Sequence, residues 1–177
     1  MSRLFIGCPI DSDSTELIAH ALIRWQQSAQ KVHWLRQENW HVTLAFIGEV
    51  DDSLERKLAS SMDLYLSEQP CLQAPLLNLS AFPDVNSAAM VVQVLACPAL
   101  QALHQVCINL CAELSLPLCP GPYRPHITLA RKASSLLPRL LSLKLSSHID
   151  IRQVALYRSE VTDNGRSYRI IHQCELF

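Results

Sequence analysis

The chain has 177 residues, 49% of them apolar and 18% charged, which fits one domain or two small lobes sharing a core and excludes a disordered chain. A net charge of −1 is too small for a protein that coats long duplex nucleic acid. The charge is uneven, however: residues 1–120 carry six Lys+Arg against twelve Asp+Glu, and residues 121–177 carry nine against four. The basic tail includes Arg124, Arg131, Lys132, Arg152, Arg158, Arg166 and Arg169, and suits a short or terminal anionic group.

In chain order, Arg3–Pro9 suits a buried strand. Asp11, Ser12 and Ser14 are N-cap candidates for a helix reaching about Gln30, with Leu17, Ile18, Leu22 and Trp25 as its apolar stripe. Val32–Arg36 reads as a short strand and Trp40–Gly48 as a longer one. Asp51–Ser53 begin a second helix, with Leu54, Leu58, Met62 and Tyr65 at helical spacing. Leu72–Phe82 and Ala88–Ala96 read as strands around a Pro83-Asp84-Val85-Asn86 turn. Pro98 to Leu114 is a third helix, with the proline tolerated in its first turn. Leu116–Pro125 is a loop, Ser134–Leu145 is ambiguous, and Ile149–Val161 and Ser167–Leu176 are strands flanking an Asn164-Gly165 hairpin signal.

Residues 85–112 lack charge, but Gln93, Pro98, Gln101, His104, Gln105 and Asn109 interrupt them, so a strand and helix are expected there instead of a membrane span. The Leu4–Ile10 run is too short for a signal peptide. Seven cysteines without a C-x-x-C pair read as free thiols in a reducing compartment. The expectation is a soluble, cytoplasmic monomer without membrane partners.

One pattern occurs twice: His41-Val42-Thr43-Leu44-Ala45 and His126-Ile127-Thr128-Leu129-Ala130. Random placement of seven histidines and four threonines would give roughly 0.16 His-x-Thr pairs, so two with matching flanks point to a repeated device. The 85-residue spacing is close to half the chain and suggests two related halves sharing one site. Strand alternation puts His41 and Thr43 on one face, with Val42, Leu44 and Phe46 on the other. By the same rule His126 and Thr128 oppose Ile127 and Leu129, and Arg131 falls one residue out of phase with them.

Two imidazoles flanking a ligand can divide general acid and general base work, because histidine titrates near neutrality. Two hydroxyls beside them can donate hydrogen bonds to charged nonbridging oxygens. The set suits in-line displacement at phosphorus and requires no metal or cofactor. Zinc would need a third ligand, and there is no H-x-x-x-H, H-E-x-x-H or C-x-x-C. The four glycines are too dispersed for a P-loop or dinucleotide fingerprint, and no G-x-S-x-G elbow is present. His20, His33, His104, His148 and His172 sit in no repeated context and read as surface or core residues.

The stretches Trp34–Gly48 and Tyr123–Arg131 resemble the two motifs of the two-histidine phosphoesterases, and within them the bacterial RNA 2',3'-cyclic phosphodiesterases, also called 2'-5' RNA ligases. The opening strand and the Tyr157–Tyr168 hairpin extend the likeness over nearly the whole chain. Trp40 stands where that family often has a smaller aliphatic residue. The resemblance implies an α+β, bilobal, pseudo-twofold fold, with two mostly antiparallel sheets lining a central cleft and helices packed outside. Residues 1–177 would form one bilobal domain with one motif per half, at 41–44 and 126–129.

The resemblance further implies hydrolysis of RNA 2',3'-cyclic phosphate ends to 2'-phosphomonoesters, and in some members reversible 2'-5' joining. His41 would be the proton donor and His126 the base, labels that the residues alone leave exchangeable. Thr43 and Thr128 would hold phosphate oxygens, with Arg131 a further candidate, and Tyr123 or Phe5 could stack on a base. Rival readings are a small-nucleotide cyclic or 2'-5' phosphodiesterase and a non-catalytic RNA-end binding module.

Overall fold

In the computed structural model the described residues are 2–28, 32–82, 89–118, 121–131, 144–162 and 165–177. Nine strands and three helices are found among them. Strand β1 (Ser2–Pro9) leads into helix α1 (Ser12–Ser28), then β2 (His33–Trp34) and β3 (His41–Val50). Helix α2 (Asp52–Leu66) precedes β4 (Leu72–Phe82) and β5 (Ala89–Val94), and α3 (Pro98–Glu113) precedes β6 (His126–Arg131). The chain ends in β7 (Lys144–Ile151), β8 (Gln153–Thr162) and β9 (Gly165–Glu175). The expected end of α1 at Gln30, the side chain of Trp25, the 83–86 turn, Lys132, Cys119, Asn164 and most of Ser134–Leu145 lie outside the described residues.

The helix starts follow from their caps. Asp11 accepts the Ser14 amide at 2.8 Å with one carboxylate oxygen, and the Asp150 amide at 3.1 Å with the other, so the same side chain caps α1 and docks it on β7. Those hydrogen bonds favour the ionised form and hold the Asp11 carboxyl below its ordinary range against the opposing effect of burial. Asp51 caps α2 by accepting the Ser53 and Leu54 amides, each at 2.9 Å. For α3, Pro98 occupies the first turn, where an amide would be unpaired in any case.

All pairings are antiparallel, in the order β7-β4-β5-β6-β3-β1-β8-β9, with β2 added beside β6. The sequence reading of Ile149–Val161 as one strand is corrected here. A single residue, Arg152, separates β7 from β8, yet the two strands pair at opposite sides of the sheet, β7 with β4 and β8 with β1. A one-residue connection can do this only if the sheet curls until those regions meet, giving a half-barrel. The closure is tied by the Leu176 amide on the Arg152 carbonyl and the Cys71 amide on the Phe177 carbonyl, both 2.8 Å.

The helices cover one face of this sheet. The main core joins Leu4, Ile6, Val42, Ile47, Ile127, Leu129 and Leu156 from strands to Ile18, Leu22, Leu58, Met62, Leu103 and Cys107 from the three helices. Trp40 is buried in this core, so its indole fills the helix side of the sheet and not the face that carries His41. On the uncovered face a second, aromatic cluster forms from Phe5, Ala155 and Tyr157, with Phe46 and Tyr168 against it. The six described cysteines are free, and no described helix is long and apolar enough to cross a membrane.

The sheet consists of two four-stranded halves, β3-β1-β8-β9 and β7-β4-β5-β6, which meet through one registered pair, Val42 opposite Ile127. These residues hold equivalent places in the two motifs, so the relation between the halves centres on that pair. Gly7 of β1 seats the first motif strand. A methyl group added at Gly7 would lie 2.8 Å from the Val42 carbonyl oxygen and 3.4 Å from the His41 ring. Gly7→Ala should therefore push the motif strand outward, costing about 1–3 kcal/mol in urea denaturation, as overpacking of a closed site does, and moving the His41 imidazole resonances in NMR spectra.

Candidate active site

Both motif strands carry an irregularity at the same place. Against β1, Thr43 pairs with Gly7 and Ala45 with Ile6, leaving Leu44 as an extra residue. Against β5, Thr128 pairs with Val91 and Ala130 with Met90, leaving Leu129 extra. Each is a one-residue bulge at the Leu of His-x-Thr-Leu-Ala, and a bulge reverses the alternation of side chains beyond it. Phe46 and Arg131 therefore return to the same face as the His and Thr before them. This corrects the sequence expectation for Phe46, which stacks 6.4 Å from Phe5 on the aromatic face. It also accounts for Arg131, whose guanidinium lies 3.4 Å from the Tyr168 hydroxyl.

The antiparallel register around Val42 and Ile127 sets His41 opposite Thr128 and Thr43 opposite His126, all on the uncovered face. Each imidazole is oriented alike. His41 donates Nδ1–H to the Asn39 carbonyl at 2.7 Å, and His126 donates Nδ1–H to the Arg124 carbonyl at 2.8 Å. A carbonyl can only accept, so in both rings Nδ1 carries hydrogen and Nε2 is left to a ligand.

Their surroundings differ. His41 is enclosed by aromatic rings, with Phe5 at 4.7 Å, Tyr157 at 5.2 Å and Tyr168 edge-on at 5.2 Å. Asn39 completes the enclosure by accepting the Tyr168 amide at 3.2 Å on its side chain. His126 has one stacked partner, Phe82 at 3.8 Å, over which the Arg124 guanidinium also lies at 5.0 Å. Burial, and then the positive charges of His126 and Arg131, lower the His41 pKa to about 4 against the opposing Asn39 hydrogen bond. Burial, and after it Arg124 and Arg131, lower that of His126 against the bond to Arg124. Both rings are thus biased towards the neutral form in the free protein, and Arg131 acts on both.

Beside the histidines runs a groove of about 790 Å³, lined by Trp34, Arg36, Asn39, Arg131, Arg166 and Tyr168 among others. Three arginines with an indole and a phenol give it charge for phosphates and flat faces for bases. Most other members of the basic tail are engaged elsewhere: Arg158 pairs with Glu55, Arg152 with Asp150 and Arg169 with Glu160. Of the two base-stacking candidates, Phe5 is 2% exposed within the aromatic cluster, and Tyr123 lies face to face on His104 at 3.9 Å. Phe5 is thus enclosed and one face of Tyr123 is taken by His104, whereas Tyr168 and Trp34 line the groove.

Among the described residues, one group of three potential metal ligands converges: Asp63, His172 and Cys174, with ligand atoms within 4.8 Å of one another. His172 Nε2 and Cys174 Sγ both donate to Asp63 Oδ1, at 2.9 and 3.3 Å, and these bonds lower the carboxylate's pKa. An extra residue in β9, Ile171, turns His172 and Cys174 towards α2 and away from the face that carries Tyr168. Neither motif histidine belongs to this group. Sequence reasoning missed Asn39, Phe82, Tyr157, Tyr168 and His104, which are brought to the motifs by tertiary pairing and carry no local signature.

A family model for the 2'-5' RNA ligase superfamily matches residues 15–163, and the chain belongs to that superfamily. It is 27% identical over 166 residues to an RNA 2',3'-cyclic phosphodiesterase of Geobacillus stearothermophilus, covering 90% of this chain and 53% of the relative, so the chain spans about half that protein's length. It is 26% identical to an RNA 2',3'-cyclic phosphodiesterase of Methanocaldococcus jannaschii, covering 97% of this chain and 99% of the relative. Among solved structures, TT0787 of Thermus thermophilus superposes with a TM-score of 0.82 at 20% identity, over 98% of this chain and 97% of that one. Escherichia coli LigT, crystallised with NADP+, gives 0.75 at 22% identity, over 99% and 98%. At these identities the two structures establish the fold.

The environment of His41 has a consequence for stability. Its folded pKa lies below the ordinary histidine value, so the unfolded chain binds more protons between about pH 4 and 6.5, and stability falls as pH drops through that window. Urea denaturation at stepped pH should show this slope, and His41→Leu should flatten it.

Proposed function

We propose that this protein is a metal-independent RNA 2',3'-cyclic phosphodiesterase that opens cyclic phosphate ends to 2'-phosphomonoesters, with the reverse reaction a 2'-5' ligation. The observation that carries this reading is the pair of identically tethered imidazoles, each set opposite the other motif's threonine by the strand register. The names of the two curated relatives support the substrate class. Escherichia coli LigT has been crystallised with 3'-AMP, which is consistent with a nucleotide at this cleft.

In the proposed reaction a water molecule attacks phosphorus and gives its proton to Nε2 of one histidine. The bond from phosphorus to O3' breaks as O3' takes a proton from the other, leaving a 3'-hydroxyl and a 2'-phosphate. Thr43 and Thr128 donate to the nonbridging oxygens, and Arg131 balances their charge. We assign proton donation to His41 and water activation to His126. His41 holds a proton less tightly because of its aromatic enclosure, which makes it the stronger acid once charged. The bound phosphodiester anion favours the protonated state that the free protein disfavours. The groove with Arg36, Arg131 and Arg166 favours an oligonucleotide end over a mononucleotide.

Phosphorus NMR with a cyclic-phosphate-terminated oligonucleotide in EDTA tests the reaction: conversion to the 2'-phosphomonoester is expected for the wild type and not for His41→Ala or His126→Ala. A 3'-phosphate product would reverse the leaving group, and bound but unconverted oligonucleotide would favour a binding module. Thr43→Ala and Thr128→Ala should each cost on the order of 10–100-fold in kcat. Because both imidazole pKa values lie below the ordinary one, kcat/KM should rise with pH from about 4 and peak on the acid side of 6.5. The kcat profile, which reports the complex, should be displaced to higher pH.

A further inference from the structure

A bulge withdraws its extra residue from the strand ladder, and at Leu44 and Leu129 that residue is buried on the helix side. Beyond the Val42–Ile127 pair β3 and β6 no longer bond to each other, so the carbonyls of these two leucines must find donors elsewhere. The two carbonyls are served differently. Leu129 accepts from the backbone amide of Leu35 at 2.9 Å, next to the β2–β6 pairing. Leu44 accepts from a side chain: Nδ1 of His104, on α3, lies 2.6 Å from its carbonyl oxygen.

The His104 ring does a second thing. It stacks on Tyr123 with a centroid distance of 3.9 Å and an interplanar angle of 3°. Tyr123 stands three residues before His126 and one before Arg124, whose carbonyl orients the His126 ring. One side chain on a helix therefore grips the bulge of the first motif by a hydrogen bond and the approach to the second motif by its flat face.

We infer that His104 is a positioning residue for the two-histidine site, holding the Leu44 bulge so that both motif strands present their His and Thr side chains to the same cleft. The bulge is what keeps His41 and Thr43 in phase with the aromatic residues beyond them. Without its donor the Leu44 peptide is drawn back towards the ladder, and the strand bearing His41 shifts relative to β6. His104 does not touch the substrate in this scheme. It acts through Leu44 and Tyr123.

This inference rests on the proposed acid–base reading, and two variants separate the hydrogen bond from the packing. His104→Phe keeps a flat ring on Tyr123 and removes the donor, while His104→Gln carries an amide donor that can reach the same carbonyl. The expected result is a kcat loss of about 10–100-fold for His104→Phe, the scale of a displaced reacting group, with KM changed less than about threefold, and recovery of most of that loss in His104→Gln. A readout that needs no substrate is the NMR titration of the His41 imidazole, which should move up from its depressed value in His104→Phe and stay in place in His104→Gln. Wild-type kcat and an unmoved His41 titration in a folded His104→Phe would overturn the inference. Equal impairment of both variants would do so too, because returning a donor to the Leu44 carbonyl would then restore nothing. If the wild type shows no turnover, the NMR arm still decides the positioning role, and only the reaction is lost.

Discussion

The architecture depends on how two strands meet at the middle of the sheet. Val42 and Ile127 form the one registered pair between β3 and β6, and each half of the sheet is otherwise paired outward, to β1 and to β5. A long ladder at this point would have zipped the motif strands together and closed the space between their side chains. A single pair fixes the antiparallel register, which crosses His41 with Thr128 and Thr43 with His126, and lets the strands diverge on either side of it. The hydrophobic contact that joins Val42 and Ile127 to the helices lies directly beneath the polar groups that face the cleft. Core and site are thus two faces of the same peptide segments, which is why apolar and polar residues alternate so strictly through each motif.

Near-symmetry of the backbone coexists with asymmetry of the chemistry. Both rings are tethered through Nδ1 to the carbonyl two residues earlier, and both strands bulge at the same leucine. Beyond the bulge the two halves part: one places Phe46, adding to an apolar enclosure round His41, and the other places Arg131, adding positive charge. A repeated scaffold thus carries different neighbours around two alike-tethered imidazoles, while burial and Arg131 lower the pKa of both.

Much of this was legible in the residue string. Seven of the nine strands and all three helices fall close to where periodicity and caps put them, because their apolar residues recur at local spacing and Asp11, Asp51 and Pro98 mark the helix starts. The catalytic candidates were legible for the same reason, as a short pattern repeated. The missed features are nonlocal. A bulge is a mismatch between two strands, so nothing within Thr43-Leu44-Ala45-Phe46 announces that Phe46 will change face. The break at Arg152 was hidden because Ile149 to Val161 has strand character throughout, and only the curl of the sheet requires the chain to leave one pairing and take up another. His104 looked like any histidine on an amphipathic helix, since its partners are 60 residues upstream and 19 downstream.

The Arg152 junction also bears on how the protein is made. The first half of the sheet takes β1 and β3 from the beginning of the chain and β8 and β9 from its end, while the second half is continuous from β4 to β7. During synthesis β1 and β3 can pair early, but the other edge of β1 has no partner until Gln153 onward has left the ribosome. The continuous half is therefore able to complete itself first, with the β1–β3 pair left waiting at its edge. An apolar strand held open for that long is a template for other nascent chains. In a chain that folds as it is synthesised, β8 and β9 are the strands that close the sheet, and a chain interrupted between β7 and β8 would carry both motifs in full yet lack one wall of the cage around His41.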